Sequence, residues 1–140
     1  MKILILTFFA IVTLSIAGNA QVAVIANKNV PVEEVKDIQL LDYYAGDIRT
    51  WADGTPIKVF DLKPKGEVRD LFFHFLGKTS SRMKSIWMKK MLSGEGNPPE
   101  ALASETDMLK RVSATAGAIG FVSNNLVNDS VKVLVIIPEE

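Results

Sequence analysis

The 140-residue chain has no cysteine, which excludes a disulfide framework, thiolate metal sites and a lipid-modified N-terminal cysteine. It has one histidine, His74, so neither a histidine-based nucleophile–base pair nor a typical zinc site can be assembled. It has no net charge: 16 basic and 16 acidic residues leave no electrostatic footprint for nucleic acid or an anionic membrane. Beyond residue 17 no apolar run is long enough to cross a bilayer, and there are no repeats, low-complexity tracts or heptads. Carboxylates are plentiful, but no spacing picks out a catalytic pair, and Glu33, Glu34, Glu139 and Glu140 read as solvated charges. No catalytic residue, cofactor or metal ligand is expected. The chain does not read as an enzyme.

What is present begins with MKILILTFFAIVTLSIAGNAQ. Lys2 supplies a positive start, residues 3–17 an apolar centre, and Gly18-Asn19-Ala20 a small-x-small cleavage pattern. This predicts a secretory signal peptide over residues 1–20, cut after Ala20 to leave Gln21 first. The apolar stretch is shorter than the roughly 20 residues that an anchoring helix needs, so no membrane insertion is expected after cleavage. Loss of Lys2 leaves 15 basic against 16 acidic residues. Residues 21–140 are enough for one domain with its own core and too few for two.

Along that domain, VAVIAN at residues 22–27 is a continuous apolar run and predicts a strand covered on both faces. Asp37 is the expected N-cap of a helix placing Leu40, Leu41 and Tyr44 on one side, with Gly46 as its stop. Asp53-Gly54 reverses the chain, Pro56 opens a strand over residues 57–62, and Trp51 reads as a packing anchor. Val68, Leu71, Phe72 and Phe75 recur at i, i+3, i+4 and i+7 and predict the buried face of a helix ending at Gly77. A second helix starts at Thr79 or Ser80, with Met83, Ile86, Trp87 and Met91 as its apolar side. Its Arg82, Lys84, Lys89 and Lys90 read as a solvated basic side rather than a membrane or acidic-partner surface. EGNPPEALA is expected to be a loop, and Ser104-Glu105-Thr106-Asp107 opens a helix with Met108, Leu109 and Val112 inward. AGAIGFVS and VKVLVII complete the strands, the first with glycines where the backbone turns or comes close. Strands alternating with helices give an α/β class, one sheet with helices on its faces.

The strand–turn–helix at IKVFDLKPKGEVRDLFFHFLGK carries the candidate site. A helix N-terminus exposes unpaired N–H groups and about half a positive charge. Lys63, Lys65 and Arg69 surround Gly66, and the amides of Gly66, Glu67 and Val68 complete a candidate anion-binding turn. Glu67 argues against it, because a carboxylate in the first helical turn satisfies the helix end from within and repels an anion. No Ser or Thr lies between Lys63 and Lys78 to donate a hydroxyl. Both readings stand, a small-anion cradle and a self-capped helix start, and the residues lean towards the second. His74 lies off the apolar face and reads as a solvated helix residue.

YYAGDIRTWADGTPIKVFDL, then MLSGEGNPPE and TAGAIGFV, resembles the substrate-binding proteins of phosphate ABC importers, over residues 22–122. The likeness is closest to small, single-lobe members of that periplasmic-binding-protein-like (type II) group. It implies a single lobe with a mixed, mostly parallel sheet and helices on both faces. It also implies a periplasmic location and a non-catalytic binding role, with phosphate or another small oxyanion as ligand. The alternative it leaves is an accessory module that meets an envelope protein partner. In full-length members two lobes close on phosphate, and the turn carries an Arg followed by Ser-Gly-Thr. Asp61 stands at that Arg position here, and Gly66-Glu67-Val68 stand where Ser-Gly-Thr would be, so those ligands do not carry over. An acid for an arginine and two missing hydroxyls both weaken a phosphate site.

Overall fold

The computed structural model describes residues 21–138. The expected signal peptide at residues 1–20 and the terminal Glu139 and Glu140 lie outside the described residues.

Five strands form one sheet in the order β3-β2-β4-β1-β5, where β1 is Val22–Ala26, β2 Lys58–Leu62, β3 Glu100–Leu102, β4 Ala118–Ser123 and β5 Lys132–Ile137. The helices are α1 (Asp37–Ala45), α2 (Glu67–Phe75), α3 (Ser80–Leu92) and α4 (Glu105–Ala114). The sheet is mixed, as expected, but its pairings divide evenly rather than being mostly parallel. β2 runs parallel to β3 and β4, while β1 is antiparallel to β4 and β5. All of β1 is buried, as its unbroken apolar run requires. β3 lies in the stretch expected to be a loop; with three residues it is too short to show an alternation.

The two parallel crossovers set the layers. β2 to β3 moves outwards and β3 to β4 moves back across β2, so right-handed connections put their helices on opposite faces. On one face Phe121 of β4 stacks on Phe72 of α2, with ring centroids 4.0 Å apart, and meets Tyr44 of α1 and Phe73. On the other, Gly120 lies directly under Met108 and Val112 of α4, whose side chains fill the place of a Cβ. α3 packs outside α1 and α2 through buried Met83 and Trp87, and the Trp87 indole N–H donates to the Tyr44 carbonyl at 2.8 Å. Trp51 is the expected packing anchor: it is buried edge-on to Tyr43, and its indole N–H reaches the Gly117 carbonyl at 2.9 Å.

Local signals behave mostly as read. Thr79 caps α3 by accepting from the Arg82 amide, and Ser104 caps α4 by accepting from the Asp107 amide, both at 3.1 Å. Asp37 is not the cap of α1. That position is Lys36, whose amide donates to Gln39 Oε1 at 2.8 Å, and Asp37 is the first helical residue.

The apolar face of α2 differs from its periodicity. Phe72, Phe73 and Leu76 are buried, whereas Val68, Leu71 and Phe75 are only partly so. The inward stripe is Arg69, Phe72, Phe73 and Leu76, a helical face one residue out of phase with the expected one. An arginine holds the first place on that face, and its partner explains why.

Candidate functional site

β2 ends at Leu62, and Lys63, Pro64, Lys65 and Gly66 lead into α2. Beside it β3 ends at Leu102, paired with Leu62, and Ala103 and Ser104 lead into α4. Parallel neighbours thus start two helices side by side, and because the helices leave to opposite faces a crevice opens between them. Open α/β sheets characteristically bind ligands at such a place. The crevice is a cavity of about 350 Å³ walled by Lys65, Gly66, Glu67 and Val68 on one side and by Ala103, Ser104 and Glu105 on the other.

The α2 wall offers donors. Asp70 N–H closes the first helical turn on the Gly66 carbonyl at 3.1 Å, and the amides of Glu67, Val68 and Arg69 have no acceptor among the described residues. Gly66 has an extended backbone and open space where a Cβ would project, so internal packing does not demand a glycine there. The expected self-capping by Glu67 is not found: its carboxylate makes no hydrogen bond to those amides. Glu67 acts by charge instead. Glu105, whose carboxylate accepts the Ser123 amide, stands across the crevice at the start of α4. Two acids face one Lys65 where both helix dipoles emerge, and each helix end is already neutralised by its own acid.

The turn's arginine is engaged elsewhere. Arg69 Nε donates to Asp61 Oδ1 at 3.0 Å and its terminal nitrogen to Oδ2 at 2.9 Å, a two-point pair lying over the Phe73 ring at 4.6 Å. Asp61 is 4% exposed and also accepts its neighbour Leu62's amide. Arg69, expected to contact an anion, is instead half of a largely buried ion pair, and this turns α2 one residue out of phase. Lys63 continues the β2–β3 pairing through its amide, and its side chain lines a different cleft, on the α3 side of the turn. Of the six candidates, Lys65, Gly66, Glu67 and Val68 therefore line the crevice with groups available to it, and Arg69 offers it only a backbone amide. Ser104 and Glu105 were missing from the expected site; their helix start was legible, but its neighbour was not, because strand order is not.

Tyr44 lies behind the pair, its hydroxyl donating to the Phe60 carbonyl at 2.8 Å. Burial first, and the Asp61 charge second, raise its pKa well above the ordinary 10.0. The folded protein therefore keeps this proton at pH values where the unfolded chain has released it, so stability is lost as pH rises above 10. In denaturant titrations, Tyr44→Phe is expected to flatten that fall relative to wild type. Tyr43, also raised by burial, contributes equally to both proteins.

His74 is exposed on α2, as expected. Among the described residues no group of three or more His, Asp or Glu side chains is placed to hold a metal ion, and no helix is long and apolar enough to cross a membrane.

No family model matches this sequence, and no curated protein does. Solved structures do match. A phosphate-bound structure from Clostridium perfringens, assigned as a phosphate ABC transporter substrate-binding protein, aligns with TM-score 0.67 at 24% identity over 82% of this chain and 45% of its own. An ABC-type phosphate transport receptor from Vibrio cholerae aligns with TM-score 0.64 at 22% identity, over 82% and 46%. PstS from Borrelia burgdorferi gives TM-score 0.59 at 14% identity, over 83% and 47%. The chain thus has the fold of one lobe of such binding proteins and spans less than half of their length.

Proposed function

We propose that the chain is a non-catalytic, solute-binding-like module of the periplasm, exported by its first 20 residues and related to phosphate-importer binding proteins. On this reading its phosphate-ligating groups are largely lost. The shared fold supports the relationship. One observation carries the loss: the only guanidinium at the turn is bound two-point by Asp61, while Glu67 and Glu105 face the crevice. A dry phosphate site needs donors without competing acids, because each unpaired charge there is costly.

Calorimetric titration at low salt tests it. Wild type is expected to give no heat with inorganic phosphate or sulfate at millimolar concentration. Glu67→Ser removes one like charge and adds a hydroxyl, which at the effective dielectric of a surface crevice is worth about tenfold in affinity. That variant is expected to show measurable phosphate binding. Strong binding by wild type would contradict the loss.

A second reading, an accessory module meeting an envelope protein, is favoured by Val68, Leu71 and Phe75, which leave apolar surface partly open beside the turn. It is distinguished by the same titration, since it expects Glu67→Ser to be as silent as wild type.

A further inference from the structure

On the α3 side of the turn, away from the crevice, lies a second and larger cleft of about 510 Å³, within the size range of small-molecule sites. Lys63 and Lys65 reach it from the turn, Lys84 from the first turns of α3, and Arg69 forms part of its wall. Among the described residues its only acid is Asp61, already neutralised by Arg69 at 2.9 Å. Among the described residues Lys63, Lys65 and Lys84 take part in no ion pair. Three ammonium groups outside any such pair therefore border one concave surface in a chain of zero net charge, Lys63 and Lys84 belonging to it alone and Lys65 shared with the crevice.

Donors add to the charge. Ser80 and Ser81 line the same cleft, and their hydroxyls donate to nothing among the described residues. They open α3, which has no acid in its first turn, so its dipole is not cancelled there as those of α2 and α4 are. The rest of the wall is apolar: Pro98 and Pro99 before β3, and Met88, which is 42% exposed.

We propose that this cleft binds a phosphomonoester carried on an apolar body. A carboxylate brings one charge and two oxygens and leaves most of these donors unused. A phosphomonoester brings close to two charges and three strong acceptor oxygens, matching three ammonium groups and two hydroxyls. Inorganic phosphate satisfies the donors but leaves Met88, Pro98 and Pro99 wet, so an organic substituent gains affinity by covering them. The site is independent of the reading given to the crevice, because its lysines are not those faced by Glu67 and Glu105, Lys65 excepted.

The test is titration of the full chain with phenyl phosphate at low salt, followed by calorimetry and by tryptophan fluorescence, to which Trp87 in the cleft wall contributes. Saturable binding is expected, weakened by added salt and at least tenfold tighter than inorganic phosphate, which stays silent in the millimolar range because it leaves the apolar wall wet. Lys84→Gln, a change at an exposed position outside the crevice, is expected to weaken it five- to tenfold with an unchanged melting temperature. If this pattern holds, vesicles of phosphatidic acid in phosphatidylcholine identify the source: co-sedimentation blocked by phenyl phosphate assigns the monoester to a lipid headgroup, and its absence to a soluble compound. Either of two results overturns the proposal. One is no saturable binding at millimolar phenyl phosphate, and the other is equal affinity in wild type and Lys84→Gln.

Discussion

Arg69→Leu is expected to lower the unfolding free energy by about 3 kcal/mol, the low end of the range for removing one partner of a buried ion pair. The low end applies because the Arg69 side chain retains 16% exposure while Asp61 keeps 6%. The loss comes from what remains. Asp61 stays inside, 4% exposed and holding only the Leu62 amide. Leucine covers the apolar neighbours about as well as the arginine stem did, so packing is not the cause. The double variant Asp61→Leu/Arg69→Leu is therefore expected to recover most of the stability, since a hydrophobic pair of similar volume often equals or exceeds a buried ion pair. Arg69→Lys is not expected to rescue, because an ammonium group cannot match both carboxylate oxygens. Urea unfolding of wild type, Asp61→Leu, Arg69→Leu and the double variant closes a double-mutant cycle. A single-variant loss below about 1 kcal/mol would mean that the pair behaves as an exposed one.

Gly117→Ala is expected to cost about 3–4 kcal/mol. Gly117 has φ of 74°, the left-handed region, where a side chain alone costs about 1–2 kcal/mol. A Cβ there would collide with the Pro56 carbonyl oxygen and press on the Thr55 methyl. Backbone cannot rotate away as a side chain can, and overpacking of this kind adds about 1–3 kcal/mol. Nor can Gly117 itself retreat, because its carbonyl accepts from both the Trp51 indole and the Lys58 amide, at 2.9 and 3.2 Å. The glycine fastens the 50–56 turn to the start of β4. Gly120→Ala offers a contrast, since there the obstacle is mostly the flexible end of Met108, and a smaller loss is expected. Equal stability of Gly117→Ala and wild type would show that the turn is not fixed at this point.

These two residues also mark how far the sequence could be read. Gly117 belongs to AGAIGFVS, whose glycines signal close backbone approach, and the signal is local, so it was legible. The same holds for Thr79 and Ser104 as caps, for Gly46 as a stop, and for the buried run of β1. Arg69 was not legible, because periodicity counts apolar residues and cannot see a charged one whose partner arrives from another strand. That one pairing turned α2 away from its expected face and took a cation out of the expected site. β3 escaped because Pro98 and Pro99 precede a strand of only three residues. The antiparallel placement of β1 and the adjacency of β2 and β3 depend on long-range pairing. With them went Ser104 and Glu105, half of the crevice.

The most direct measurement is the amide NMR shifts of Glu67, Val68 and Arg69 while inorganic phosphate is titrated to millimolar concentration at low salt. With Arg69 held by Asp61 and the helix end flanked by acids, these three signals are expected to stay where they are. A saturable movement confined to them would mean that the crevice holds phosphate after all.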